Sequence, residues 1–246
     1  MKTVPEIIHI SETNSTNNYL KELLQTQNVD EGTVVWADFQ SAGKGQRGNG
    51  WESEAGKNIL FSIVLFPGFI KAGEQFILSQ IVSLAVANCL QEYTEGISIK
   101  WPNDIYWNEK KICGILLENT ILEDNIGHSV AGIGININQE NFRSDAPNPV
   151  SLKQITNRDY NLEEILKTVV DNINVYYQQI KIGKADSLIK QYKESLFRKD
   201  GCHLYNDGIS DFLARIQDVD SSGLLILKTK EGEERHFAFK EVKYII

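Results

Sequence analysis

The sequence predicts an α+β fold, a mixed and largely antiparallel sheet packed with helices, followed by a small β appendix. Three observations lead there. Apolar residues recur at helical spacing in separate stretches, β-rich apolar runs lie between them, and the chain closes on short alternating strands. A chain of 246 residues has material for one large domain, read as 1–196, and a small second one, 197–246.

In "SETNSTNNYLKELLQ", Ser15 or Thr16 is the candidate N-cap of a helix over about 16–26, and Tyr19, Leu20, Leu23 and Leu24 form its apolar stripe. "TVVWADFQ" (33–40) is β-rich. "NILFSIVLF" (58–66), an unbroken apolar run stopped by Pro67-Gly68, reads as a buried strand. Residues 74–93 are apolar on most sides and suit a core helix. "ISIKWP", "DIYWNEKKICGILLENTIL" and "GHSVAGIGININ" are three β-like pieces, with Asn108-Glu109-Lys110 as a hairpin connection. Leu162, Leu166, Val169, Ile173, Tyr176 and Ile180 then restore a helical period, and a short helix over about 184–195 follows. The strands "DFLARIQDV", "GLLILKTK" and "RHFAFKEVKYI", with a turn at 220–223, suit a small SH3-like barrel.

A formal net charge of -8 and a pI near 5.1 argue against sequence-independent nucleic-acid binding, which needs many phosphate-neutralising cations. A local basic loop in such a chain suits a small anionic ligand instead. Cys89, Cys113 and Cys202 are odd in number, far apart and outside any CxxC, so neither a zinc site nor a disulfide framework is expected. "MKTVPEIIHI" has no cleavable leader pattern, and no run of about 18 apolar residues follows. The expectation is a cytoplasmic protein without membrane partners.

"DFQSAGKGQRGNGW" (38–51) contains a literal GxGxxG at Gly43, Gly45 and Gly48. A dinucleotide fingerprint needs a helix after that turn, to place an N-terminus at the pyrophosphate. Gly50, Gly56 and the 58–66 strand leave no room for one, and no GxxxxGK[ST] can be drawn. Lys44 and Arg47 among glycines suit an anion-cradling loop, although a plain surface excursion has the same composition. Three further stretches place polar or small residues beside strands: Ser15-Thr16-Asn17, "KWPND" (100–104) with Lys110-Lys111 and Gly114, and "GIGININ" (132–138). Singly, they are explained as well by a helix cap, a proline turn, a strand-end charge and, for Trp51, a core tryptophan.

Together, "STNNYL", "QSAGKGQRGNGW", "KWPNDIYW", "KKICGILLE" and "GIGININ", in this order and spacing, resemble the biotin protein ligases. The likeness is close over about 10–140 and looser beyond. It implies the catalytic fold shared with class II aminoacyl-tRNA synthetases, and a two-step reaction. Biotin and ATP, with Mg²⁺ carried by the nucleotide and no dedicated protein metal site, give biotinoyl-5′-AMP. The biotinoyl group then passes to a lysine of a biotin carboxyl carrier protein or domain.

By this resemblance Lys111 bridges the biotin carboxylate and the α-phosphate, while Lys44 and Arg47 add positive potential over the ligand. Ser15, Thr16, Asn17 and Gln40 read the ureido ring, Gly43 and Gly114 allow close approach, and Gly45 belongs to the nucleotide side of the site. Trp51 packs on adenine, Asn103 and Asp104 sit near the phosphates and the attacking amine, Lys100 supports them, and Asn136 bonds near the nucleotide. One departure is Gln46, which stands where relatives often carry an arginine that helps to retain the adenylate. A second is the start of the chain almost at the catalytic motifs, without the helix-turn-helix segment that makes some relatives repressors. A monomer or a homodimer is expected. The rival readings are a lipoate or octanoate protein ligase of the same fold and a non-catalytic sensor of biotin or its adenylate.

Overall fold

The computed structural model describes residues 6–46, 49–143 and 148–246. Its first seven strands are β1 (Ile7–Thr13), β2 (Val34–Gln40), β3 (Ile59–Leu65), β4 (Ile97–Lys100), β5 (Asp104–Trp107), β6 (Lys110–Leu122) and β7 (Asn125–Ile135). They form one sheet in the order β1-β2-β3-β7-β6-β5-β4. Only β1 and β2 pair in parallel. Their connection is the crossover helix α1 (Thr16–Thr26), as a parallel pair requires. Strand β1 was not anticipated, because its burial pattern shows no fully buried position and its sequence no strong alternation.

Each sheet face buries its own apolar set. One face, through Val34, Ile59, Phe61 and Ile63, packs on the helices α2 (Phe76–Gln91), α4 (Leu162–Lys181) and α5 (Asp186–Glu194). Strand β3 is buried at every position, which accounts for its unbroken apolar run. The stretch 72–91 is, among the described residues, the one long and apolar enough to cross a bilayer, yet α2 buries nearly its whole surface in this core. On α4 the inward position is Tyr177 rather than Tyr176, whose hydroxyl accepts from Asn88 at the core margin. The opposite face packs α1 through Leu20 against Val35, Val64 and Val130. That small cluster covers only one end of the face, and the rest is left open.

Two hairpins shape the far edge. Asn108, at φ 49, and Glu109 turn between β5 and β6, and Lys110 already belongs to the strand. Trp101, Pro102 and Asn103 turn between β4 and β5, so that Lys100 and Asp104 pair across the two strands. A further short helix, α3 (Leu152–Thr156), was not foreseen. Ser151 and Gln154 cap it reciprocally, each side chain bonded to the other residue's backbone N–H.

The C-terminal strands β8 (His203–Asn206), β9 (Asp211–Val219), β10 (Leu225–Thr229), β11 (Glu234–Phe237) and β12 (Lys243–Tyr244) form a separate sheet ordered β11-β10-β9-β8-β12. This is the expected β appendix. It docks on the β4–β5 turn: the Trp101 indole N–H donates to the Gly223 carbonyl at 3.0 Å, and Phe239 meets Trp101 edge-on with ring centroids 6.2 Å apart. Gly223 has φ +93, and a Cβ there would lie 2.7 Å from the Phe76 ring, so the turn needs glycine for conformation and space alike.

Candidate active site

On the open part of the α1 face, β6 and β7 carry glycine where a core face would carry side chains. Gly132 and Gly134 are two apart on β7 and point to the same face. Gly114 pairs with Gly134 across the strands, and Ser62 of β3 pairs with Gly132. This bare floor underlies a cavity of about 930 Å³, roofed by residues 40–46 and 49–53 and walled by the start of α1, the Lys100–Asp104 hairpin and Phe239. The floor part of "GIGININ" is ordinary strand with two side chains removed, because Gly132 and Gly134 lie in β7, which ends at Ile135.

Both ends of the floor are filled with polar chemistry. At the α1 end Ser15, Thr16 and Asn17 are buried. Ser15 has the N-cap position, but its side chain makes no capping bond, contrary to the capping role read from the sequence, so it faces the cavity instead. The Thr16 backbone N–H donates to Gln40 Oε1 at 2.7 Å, which fixes the Gln40 amide. Gln40 Nε2 then lies near Gly43, and a Cβ at Gly43 would sit 3.3 Å from it and 2.6 Å from the Trp51 carbonyl oxygen. Asn17 lies directly on Gly132, where any Cβ would overlap its amide oxygen. The result is an acceptor, Thr16 Oγ1, beside a donor, Gln40 Nε2.

The other end gathers cations. A bulge shifts register between Ile105 and Tyr106, which oppose Cys113 and Lys111 respectively, so Ile112 is the extra residue. Without it, strand alternation would put Lys111 and Gly114 on opposite faces; with it both meet the cavity. The Lys111 backbone is pinned by Asn148 and Val150, and its ammonium lies 2.7 Å from Asp104 Oδ1 and 5.8 Å from the Trp51 ring centroid. Lys100 donates to the Tyr106 hydroxyl at 3.0 Å. Burial pushes the Lys100 ammonium below the ordinary lysine range, Asp104 partly offsets this, and Lys111 and Arg198 add to it. Asn103, also buried, donates to the Ile115 carbonyl at 2.7 Å and so holds the turn against β6.

Trp51 joins the two ends. A Cβ at Gly134 would lie 2.5 Å from its indole and one at Gly114 2.8 Å away, so the ring rests on the floor itself. Its indole nitrogen is buried and has no hydrogen-bond partner among the described residues. The roof is a small hairpin: Gly45 N–H bonds the Asn49 carbonyl and Trp51 N–H the Gly43 carbonyl, and Lys44 reaches Asn18 of α1 at 2.9 Å. Arg47 and Gly48 lie outside the described residues. Strand β3 follows this loop, and among the described residues no α-helix lies between the two.

Of the residues singled out from sequence, Ser15, Thr16, Asn17, Gln40, Gly43, Lys44, Gly45, Trp51, Lys100, Asn103, Asp104, Lys111 and Gly114 line this one cavity. Asn136 does not. It is buried behind the wall, bonded through its backbone to Ile112 and Leu152 and through Nδ2 to the Val150 carbonyl, with Oδ1 unpartnered among the described residues. Missed were Gly132 and Gly134 in the floor, Phe239 in the wall, and Ser62, buried beside Thr16 and Asn17 without lining the cavity. The alternate glycines in "GIGININ" were the available signal for two of them.

Fold and site together define an enzyme cleft in which a small polar reader and a cation cluster share one glycine floor. The chain belongs to the biotin/lipoate A/B protein ligase family, whose model matches residues 10–136. Over 223 residues it is 30% identical to the bifunctional ligase/repressor BirA of Bacillus subtilis, covering 87% of this chain and 67% of the relative. It is 26% identical to the biotin--[acetyl-CoA-carboxylase] ligase of Paracoccus denitrificans, across 92% of this chain and 95% of that protein. Among solved structures, the biotin protein ligase of Aquifex aeolicus in complex with biotin and ATP superposes with a TM-score of 0.80 at 27% identity, over 98% of this chain and all of that one.

Proposed function

We propose that this chain activates biotin with ATP to biotinoyl-5′-AMP and transfers the biotinoyl group to a lysine of a biotin carboxyl carrier protein or domain. The observation that carries this reading is the pairing, in one cavity, of a donor and acceptor fit for a cyclic urea with a cluster of cations. A cyclic urea offers N–H and C=O side by side, and Thr16 Oγ1 and Gln40 Nε2 are their complements. A lipoyl dithiolane has neither group, which favours biotin over lipoate.

In the first step a biotin carboxylate oxygen forms a bond to the α-phosphorus while the bond from that phosphorus to the bridging oxygen breaks, and pyrophosphate leaves. Two anions must approach, so the work is electrostatic. Lys111 exchanges part of its contact with Asp104 for the carboxylate and α-phosphate oxygens. Lys100 and Lys44 add charge from the wall and the roof, and the resemblance alone assigns the same role to Arg47. Magnesium, carried by the nucleotide rather than by a protein site, would offset phosphate charge there, while Lys44, Lys100 and Lys111 supply the protein's share. The roof hairpin and Trp51 exclude water, on which a mixed anhydride would otherwise be lost.

In the second step the carrier's lysine amine attacks the acyl carbon, a C–N bond replaces the C–O bond to phosphate, and AMP departs. Asp104, released from part of its pairing with Lys111, accepts or orients the amine proton, and Asn103 keeps the hairpin that presents it in place. Asn136 supports the nucleotide end from behind the wall through the segment 148–150. We place the reaction in the cytoplasm, with which three unpaired cysteines agree.

Calorimetric titration with biotin and with lipoate, followed by biotin-dependent ATP–pyrophosphate exchange, tests this reading. Biotin binding and exchange are expected. Preference for lipoate would move the chain to the rival acyl ligase, and biotin binding without exchange would make it a sensor.

A further inference from the structure

Lys100 ends β4, and among the described residues its ammonium is held by aromatic rings and a phenol rather than by a carboxylate. Asp104, its partner across the β4–β5 turn, spends Oδ1 on Lys111. Lys100 Nζ instead lies 3.0 Å from the Tyr106 hydroxyl, 4.7 Å from the centre of the Tyr106 ring and 5.3 Å from that of Tyr244. An ammonium is drawn to the negative face of such a ring, most strongly where water is partly excluded. Tyr244 belongs to β12, the last strand of the other sheet.

Backbone contacts bring Tyr244 to this place. Residues 195–197, leaving α5, pair with the outer edge of β4: the Ile99 N–H donates to the Ser195 carbonyl and the Phe197 N–H to the Ile99 carbonyl, both at 2.8 Å. The Phe197 ring then lies 5.4 Å from that of Tyr106 and 6.0 Å from that of Tyr244, centre to centre. Arg198 donates to the Ile245 carbonyl at 2.7 Å, and Tyr244 pairs with Tyr205 of β8, their ring centres 5.0 Å apart. The Tyr244 hydroxyl is buried and has no hydrogen-bond partner among the described residues, so what Tyr244 offers Lys100 is a ring face.

Resting on the ligase reading and its use of Lys100, we propose that Tyr106 and Tyr244 are positioning residues that hold the Lys100 ammonium at the cation end of the cavity, so that the closing strand of the C-terminal sheet takes part in adenylation. Lys100 and Tyr106 line the cavity and Tyr244 does not. The influence of Tyr244 therefore passes through Lys100.

A double-mutant cycle separates this role from packing. Biotin-dependent ATP–pyrophosphate exchange is measured at saturating biotin and ATP, and biotin Kd by calorimetry. Variants at Tyr244 are made with Lys100 present and with Lys100→Met, which keeps an unbranched stem and no charge. Tyr244→Leu is expected to slow exchange about tenfold while biotin Kd stays within about twofold, and Tyr244→Phe, which keeps the ring face, to restore the rate. In the Lys100→Met protein the same Tyr244→Leu change is expected to alter exchange by less than about twofold, because no charge is left to hold. An unslowed Tyr244→Leu protein, the full loss repeated in the Lys100→Met background, or a Lys100→Met protein as active as the unaltered one overturns the proposal. If Tyr244→Leu fails to fold, Tyr106→Phe carries the cycle, since it removes only the hydroxyl that accepts from Lys100. A loss confined to the protein that retains Lys100 then supports the proposal, and equal rates or equal losses in both backgrounds overturn it. If the unaltered protein shows no exchange, the underlying ligase reading fails first, before any variant is made.

Discussion

Lys111 shows how a single side chain is aimed by the backbone beneath it. Its ammonium is partly exposed and already paired with Asp104, so the pair itself contributes little to stability in water. Its value is positional, since the bulge at Ile112 turns it over the floor. Lys111→Ala is expected to lower biotin-dependent pyrophosphate exchange by at least about 100-fold with thermal unfolding nearly unchanged, as loss of a preorganised charge commonly does. Undiminished exchange would remove Lys111 from the chemistry. Glu118 makes a prediction in pH. Burial raises its carboxyl, but hydrogen bonds from Lys21 and Asn17 outweigh this and depress the native pKa. The stability it supplies is therefore present above the unfolded value of about 4.3 and disappears as pH falls through the lower native one. Glu118→Gln should therefore cost about 1 kcal/mol at pH 7, and the two unfolding curves should converge toward pH 3. Lys111 was legible only through the resemblance carried by "KWPND" and "KKICGILLE", since by itself it reads as an exposed strand-end charge. Ser62 was not, because one serine in an apolar strand reads as a tolerated core residue until the strands beside it are placed.

The elements that make the site are a floor and a roof, and they differ in what the sequence discloses. Glycines spaced two apart in a strand weaken it and bury no side chain, so their presence marks a close approach by something else. Here that is Asn17 on Gly132 and Trp51 on Gly134 and Gly114. Gly132→Ala is expected to evict the Asn17 amide and weaken biotin binding by about tenfold or more, read by calorimetry, while the sheet persists. Unaltered affinity would mean that Asn17 does not take part. The roof was legible as an anion loop from Lys44, Arg47 and the glycines, and the Rossmann alternative was excluded correctly from the strand that follows. Gln46 also lines the cavity. Gln46→Arg adds a planar, charged fork to the roof and should slow escape of the adenylate severalfold in a quench-and-filter assay. Unchanged or faster release would break the loop analogy at this position. Strand β1 and helix α3 escaped notice for ordinary reasons: β1 is a half-buried edge strand with weak periodicity, and α3 has only 5 residues.

At the scale of the whole molecule, the C-terminal sheet is more than an appendix, because it supplies part of the cavity wall. Phe239 lines the cavity and packs on Trp101, inside the turn that joins Lys100 to Asp104. The barrel-like strand pattern was legible in the sequence, but its docking place was not, since that contact depends on a backbone carbonyl at Gly223 and one indole N–H. Phe239→Ala is expected to raise the KM for ATP by roughly tenfold and to leave biotin affinity within about twofold, because the reader at Thr16 and Gln40 belongs to the other end. Equal losses for both ligands would place Phe239 in general stability. The central claim remains that one glycine floor brings a biotin ring, its carboxylate and a nucleotide phosphate into a single line toward an acceptor lysine. Incubation with biotin, ATP, Mg²⁺ and a biotin carrier domain, followed by intact mass of the carrier, measures this directly. One biotinoyl group added per carrier, dependent on ATP and abolished by Lys111→Ala, is the predicted result. An unlabelled carrier with no pyrophosphate released would contradict it.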